Sequence, residues 1–150
     1  MTKTQSYQNF TSINQSFTTA VRQDVVRVRT FVRQAAIMIG FGKVDQIRIA
    51  TAVSEICRNV IDYAKKGQVI IKSVSFPLKC GLFIKETDQG PGILDISRAM
   101  QDGFSSCKRL GIGLPGSKRM MDLFGIESDP KSGTKITMCK WLSPGAMTSR

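Results

Sequence analysis

The chain has 150 residues, of which 41% are hydrophobic, enough for one domain with a core of its own and too many for a disordered polymer. It carries 22 Lys+Arg against 11 Asp+Glu and no histidine, a formal net charge of +11 that favours an anionic partner and excludes a mixed Cys/His metal site. No apolar run approaches the roughly 18 residues of a membrane span, and the N-terminus lacks the charged-then-apolar pattern of a secretion signal.

Residues 1–15, mostly Thr, Ser, Gln and Asn, are expected to be loose. A first strand is predicted over Ser16–Val21. Asp24 then caps a helix whose apolar positions Val28, Phe31, Val32, Ala35 and Ile39 follow helical spacing, ended by Gly40 and Gly42. Arg22, Arg29 and Arg33 on one side of it read as a solvated face. A second helix is predicted from Val44 to Ala64, burying Ile49, Val53, Ile56, Cys57, Val60 and Ala64, with Glu55, Asn59 and Asp62 on the opposite face. Lys65-Lys66-Gly67 stops it.

Gln68–Val74 and Cys80–Thr87 read as a hairpin turning at Phe76–Lys79. After the loop Asp88-Gln89-Gly90-Pro91-Gly92, a short helix is predicted over Ile93–Gln101 with Asp95 at its start. Gly103–Leu110 is small and polar, Gly111–Gly116 glycine-rich, and Ser117–Phe124 helical. Gly125–Asp129 and Thr134–Leu142 close the chain as strands around the turn Pro130–Gly133. These elements predict an α/β two-layer sandwich: a mixed, mainly antiparallel sheet with helices on one face. One domain is expected over 16–142, between a disordered segment 1–15 and a flexible tail 143–150. The four cysteines, Cys57, Cys80, Cys107 and Cys139, match no zinc spacing and read as free thiols of a reducing compartment.

Gly111-Ile112-Gly113-Leu114-Pro115-Gly116 formally matches GxGxxG, but no strand precedes it, which argues against a dinucleotide fold. Ser117-Lys118 reverses the order a P-loop requires. The physical content remains: bare backbone N–H groups and a helix N-terminus suit phosphate oxygens, and equally suit a tight turn and helix entry. Glu55 and Asn59 lie one helical turn apart. A carboxylate there can take a proton and an amide oxygen can bind Mg²⁺, although the pair alone reads equally as a solvated polar face.

The combination is more specific. Glu55-x-x-x-Asn59 on a helix, Asp88-Gln89-Gly90-Pro91-Gly92 after a strand, Gly111-x-Gly113-x-x-Gly116 opening a helix and Ser132-Gly133-Thr134 at a late strand resemble the GHKL, or Bergerat-fold, ATPase superfamily over about residues 20–142. Within it the stretches GFGKVDQIRIATAVSEICRNV, DQGPGILDI, MQDGFSS and LGIGLPGSKRMMD look most similar to anti-sigma-factor-type serine-protein kinases of the stressosome switch class. The resemblance implies that Asp88 accepts a hydrogen bond from the adenine amino group with Thr134 assisting, and that Gly90 and Gly92 let the backbone pass close to the nucleotide. It implies that Asn59 holds Mg²⁺, that Glu55 activates the attacking hydroxyl, and that Gly111, Gly113, Leu114 and Gly116 line the phosphates. Gly103–Leu110 would be a lid, in which Lys108 and Arg109 replace the small residues expected and are candidates to reach the γ-phosphate.

The implied activity is ATP- and Mg²⁺-dependent phosphorylation of a serine or threonine on a STAS-domain partner in a bacterial stress-response pathway. Activation of a PPM-type phosphatase, once the kinase is released, is also implied. The protein would be cytoplasmic, without a membrane or specific nucleic-acid partner. With no histidine, self-contained histidine autophosphorylation is excluded. Two other readings stand beside this one: a non-catalytic nucleotide-binding switch module, and a nucleic-acid binder suggested by charge alone, for which no aromatic platform interleaves with the basic residues.

Overall fold

The structure, a computed structural model, describes residues 10–101 and 113–143. In chain order its elements are β1 (Asn14–Thr19), α1 (Arg22–Ile39), α2 (Lys43–Asn59), a π-type turn (Val60–Ala64), β2 (Gly67–Phe76), β3 (Lys79–Asp88), α3 (Ile96–Ala99), α4 (Gly113–Met120), β4 (Leu123–Asp129) and β5 (Gly133–Trp141). The strands form one sheet in the order β1-β2-β3-β5-β4, and every pairing is antiparallel. No helix among the described residues is long and apolar enough to cross a membrane.

Alternation along the strands creates the two faces. In β3, Leu82, Ile84 and Glu86 are buried, while Phe83, Lys85 and Thr87 between them are only partly so. The helices cover the buried face. Val28, Val32, Ala35, Ala36 and Ile39 of α1 recur at helical spacing and join Ile49, Val53 and Ile56 of α2 in one core with Val69, Ile71, Leu82, Ile84, Ile136 and Met138 of the sheet. Each fully buried Ile or Leu contributes about 1.5–3 kcal/mol. The two-layer α/β sandwich expected from the sequence is the fold.

Several boundaries shift for local reasons. Part of the segment expected to be loose to residue 15 is ordered: Ile13 is buried, its N–H donates to Ser73 Oγ (2.7 Å), and β1 begins at Asn14. Helix α1 starts at Arg22, so Asp24 does not precede it. Instead its carboxylate reaches back from the first turn to accept from the N–H groups of Ala20 (2.9 Å) and Val21 (3.0 Å). These two bonds hold the Asp24 carboxyl below the usual carboxylate range. Gly40 ends α1 in the left-handed region (φ 110°), where its N–H bonds Ala36 O and Ile37 O.

The helix expected over Ile93–Gln101 shrinks to Ile96–Ala99, capped by Asp95, because the Ile93 N–H is committed to Ser128 Oγ of β4 (2.7 Å). Helix α4 lies earlier than expected and ends at Met120. Phe124, read as helical, belongs to β4, where it alternates with Ile126 and Ser128 towards the helices.

Candidate functional site

The site gathers where β3 ends and β5 begins. Asp88 closes β3, and its Oδ1 accepts from the N–H of Gly90 (2.9 Å) and of Thr134 (3.3 Å). Thr134 Oγ1 in turn pairs with Ser128 Oγ (2.8 Å), so β4, β5 and the Asp88 loop are tied through small polar groups. Glycine is required at two points of this junction. Gly133 has φ +87°, and a Cβ on it would lie 2.0 Å from the carbonyl oxygen of Asp88. Gly90 passes so close to the turn after α2 that a Cβ would lie 2.5 Å from that of Ala64. A cavity of about 750 Å³ opens here, lined by Ala64, Lys66, Asp88, Gln89, Ser128 and Thr134 among others, and it reaches round to Gln68, Thr87, Lys135 and Glu127 on the other face of the sheet.

Helix α2 brings the second group. Glu55 is 3% exposed, not on a solvated face as its spacing allowed, because α4 packs on α2 there. Its Oε1 is ion-paired with Arg58 one turn on, and its Oε2 accepts from the N–H of Gly113 (3.3 Å) at the start of α4. Asn59, half-buried, is the last residue of α2 before the π-type turn. A turn of this kind interrupts helices at functional sites, and here it carries the chain from Asn59 to Ala64, beside Gly90.

In α4, Leu114, Gly116 and Ser117 are buried, and the Ser117 hydroxyl donates to Gly113 O (3.0 Å). Of the glycine-rich stretch, Gly113 (φ +63°) therefore faces Glu55, while Leu114 and Gly116 form the packed first turn of the helix. Gly92 (φ +74°) holds the loop after Asp88 against β4, with a Cβ there only 2.7 Å from Asp129 O. Gly103, Lys108, Arg109 and Gly111, and with them the expected lid, lie outside the described residues, as does Cys107.

Behind Asp88 the core holds ionisable groups, the cysteines expected as free thiols and Glu86, which the sequence reading did not single out. Glu86 is 1% exposed; burial, with the neighbouring Asp88, pushes its carboxyl up to about 9. Burial pushes the Cys57 thiol of α2 up to about 12 and that of Cys139 up to about 11, so both are inert as nucleophiles at neutral pH. Cys57, Cys80 and Cys139 are free and buried. No cluster of three His, Cys, Asp or Glu side chains among the described residues could hold a metal ion. A metal at this site would instead need a ligand such as the Asn59 amide oxygen together with phosphate oxygens, a donor set that suits Mg²⁺. Glu86 carried a readable signal: it shares strand parity with Leu82 and Ile84, and so points to the core. Arg58 and Ser128 gave none, because their partners come from folding.

Comparison with known proteins adds an independent line. Residues 17–140 match the family described as the histidine kinase-like ATPase domain. The chain is 51% identical over 119 residues to the serine/threonine-protein kinase RsbT of Bacillus subtilis (strain 168), covering 79% of this chain and 90% of that relative. It is 36% identical over 98 residues to the anti-sigma F factor of Caldanaerobacter subterraneus subsp. tengcongensis, covering 63% of this chain and 68% of that one. Among solved structures, the RsbU and RsbW domains of a Mycobacterium tuberculosis protein superpose with a TM-score of 0.60 at 16% identity. That match covers 87% of this chain and 33% of the other, so the chain spans about a third of it. The mycobacterial sensor histidine kinase MprB superposes with a TM-score of 0.51 at 16% identity, covering 86% of this chain and 97% of that one. At such identities the two structures speak for the fold alone.

Proposed function

The chain belongs to the histidine kinase-like ATPase domain family, and we propose that this serine/threonine protein kinase transfers the γ-phosphoryl group of ATP to a STAS-domain partner in a partner-switching pathway. The observation that carries the reading is the frame around Asp88. One carboxylate oxygen is pinned by the Gly90 and Thr134 N–H groups beside a cavity of about 750 Å³ whose lining takes in Asp88 and Thr134 but not Glu55, Asn59 or Gly113. A carboxylate offers only acceptors, and the exocyclic amine of adenine offers donors. Gly90, Gly92 and Gly133 keep side chains out of the loops that flank it.

Phosphoryl transfer needs alignment and neutralised charge more than covalent help from the protein. The Gly113 N–H at the start of α4 donates to Glu55 Oε2 in this structure, and it would serve a phosphate oxygen only by leaving that carboxylate. The Asn59 amide oxygen would hold Mg²⁺, which when bound neutralises charge on the triphosphate. Glu55 accepts the proton of the incoming hydroxyl as its oxygen bonds to the γ-phosphorus, while the bond to the β,γ-bridging oxygen breaks and ADP leaves. To do so Glu55 must exchange the Arg58 contact or the Gly113 N–H for that hydroxyl.

The partner is inferred from the resemblance to anti-sigma and switch kinases. So is a second role, activation of a PPM-type phosphatase when the kinase is released from its STAS partner. Incubation with γ-labelled ATP, Mg²⁺ and STAS proteins of the same source should label one of them on a serine or threonine. Label confined to other substrates, or none at all, would remove the STAS assignment.

A further inference from the structure

Glu86 is a buried acid with no counter-charge beside it among the described residues. It lies on β3 two positions before Asp88 and points to the same face, in a cross-strand row with Phe17 of β1, Val69 of β2 and Ile136 of β5. Its Oε1 has no hydrogen-bond partner among the described residues. That oxygen lies against Gly67 of β2, where a Cβ would come within 3.2 Å of it and 2.7 Å of Val60 Cγ1. The ionisable groups facing it are Asp88 on its own strand and the Cys57 thiol from α2; β1, β2 and β5 contribute no charge to the row. The carboxyl groups of Glu86 and Asp88 are within hydrogen-bond reach of one another.

Two carboxyl groups in such contact need a proton between them, since two carboxylates only accept. The deeper group keeps that proton, and the deeper group is Glu86. We propose that Glu86 is a positioning residue which, as a neutral acid, donates its O–H to Asp88, holds Asp88 as an acceptor-only group, and so favours 6-amino over 6-oxo purine nucleotides. The inference rests on the nucleotide reading of the site given above. A proton resident on Asp88 would turn it into a donor able to meet the 6-oxygen of guanine. With the proton kept on Glu86, Asp88 offers acceptors alone, so at the 6-position it meets the amino group of adenine and repels the oxygen of a 6-oxo purine.

The test is calorimetric titration of the full chain with Mg·ATP and Mg·GTP, for wild type, Glu86→Gln, Glu86→Leu and Asp88→Asn, at neutral and alkaline pH. The Gln variant retains a donor that does not titrate; its ATP affinity stays within about threefold of wild type and its preference for ATP persists. The Leu variant loses about tenfold in ATP affinity, and its ATP-to-GTP ratio narrows. Wild-type affinity falls as pH passes about 9, and the Gln variant does not follow. If Leu binds like wild type, if Gln is as weak as Leu, or if Gln and wild type share one pH profile, Glu86 is only filler and the proposal is overturned. Should the Leu variant not fold, the Gln pH profile decides alone. Wild type without affinity for Mg·ATP would sink the nucleotide reading itself, whereas loss in Asp88→Asn beside unchanged Glu86 variants would sink this inference only.

Discussion

Thr134 donates its backbone N–H to the same Asp88 oxygen that accepts from Gly90, so one carboxylate fastens the start of β5 to the loop that follows β3. The acid at the strand end is thus built into the backbone frame before any ligand arrives. Its role in the fold is inseparable from the role proposed for it towards a purine, and variants there must be judged by binding and stability together.

Asp88→Asn cannot serve both roles. If the amide oxygen faces the two N–H groups, its NH₂ meets the purine amine donor to donor; turned round, it breaks the frame. ATP affinity should fall about 100-fold, near 2.7 kcal/mol. Calorimetry at constant pH, with circular dichroism to verify the fold, measures it.

Glu55→Gln should separate binding from chemistry. The amide still accepts the Gly113 N–H but takes no proton, so ATP affinity should stay within about twofold while transfer falls at least about 100-fold. A variant that transfers phosphate at the wild-type rate would assign Glu55 to the fold and leave the base unidentified.

Gly133→Ala tests the close approach at the head of β5. The new methyl would lie 2.0 Å from the carbonyl oxygen of Asp88, at φ +87°. The cost should be about 3 kcal/mol, a loss of about 10 °C in Tm, with ATP affinity falling in step. An unchanged Tm would show that the β3–β5 junction opens freely.

Glu86→Gln should stabilise the protein, with a defined sign in pH. The folded Glu86 keeps its proton to about 9, while the unfolded carboxyl releases it near its ordinary value of 4.5. Between these values the native state binds more protons than the unfolded one, so the acid costs stability increasingly as pH rises. The Gln variant should match wild type near pH 4.5 and exceed it by up to about 3 kcal/mol at pH 7. Urea unfolding across that range reads the difference, and a constant offset would contradict the assignment.

Much of this arrangement was legible in the sequence where one physical signal dominates. The period of Ile49, Val53 and Ile56 places α2, and a strand ending in Asp88 before two glycines marks the site. Glu55 and Asn59 were found by spacing, but the burial of Glu55 was not, because α4 arrives from far along the chain. The glycine motif is expected to open a helix, but the helical pattern is read only from Ser117; α4 begins at Gly113 because packing on α2 tolerates glycines in its first turn. At Glu86 charge favours the surface and strand parity with Leu82 and Ile84 favours the core, and parity wins.

The π-type turn at Val60–Ala64 fixes the number of residues between α2 and β2. A π turn holds one residue more than the α-helical winding it replaces, so deleting one would let the coil resume its ordinary winding and lose the widened turn that brings Ala64 beside Gly90. Lys65 at φ 69°, and Gly67 wedged between Val60 and the Thr87 carbonyl, leave no slack beyond it in which the turn could re-form. The segment thus tolerates changes of side chain more readily than changes of length, since its length sets where Ala64 meets the loop after Asp88.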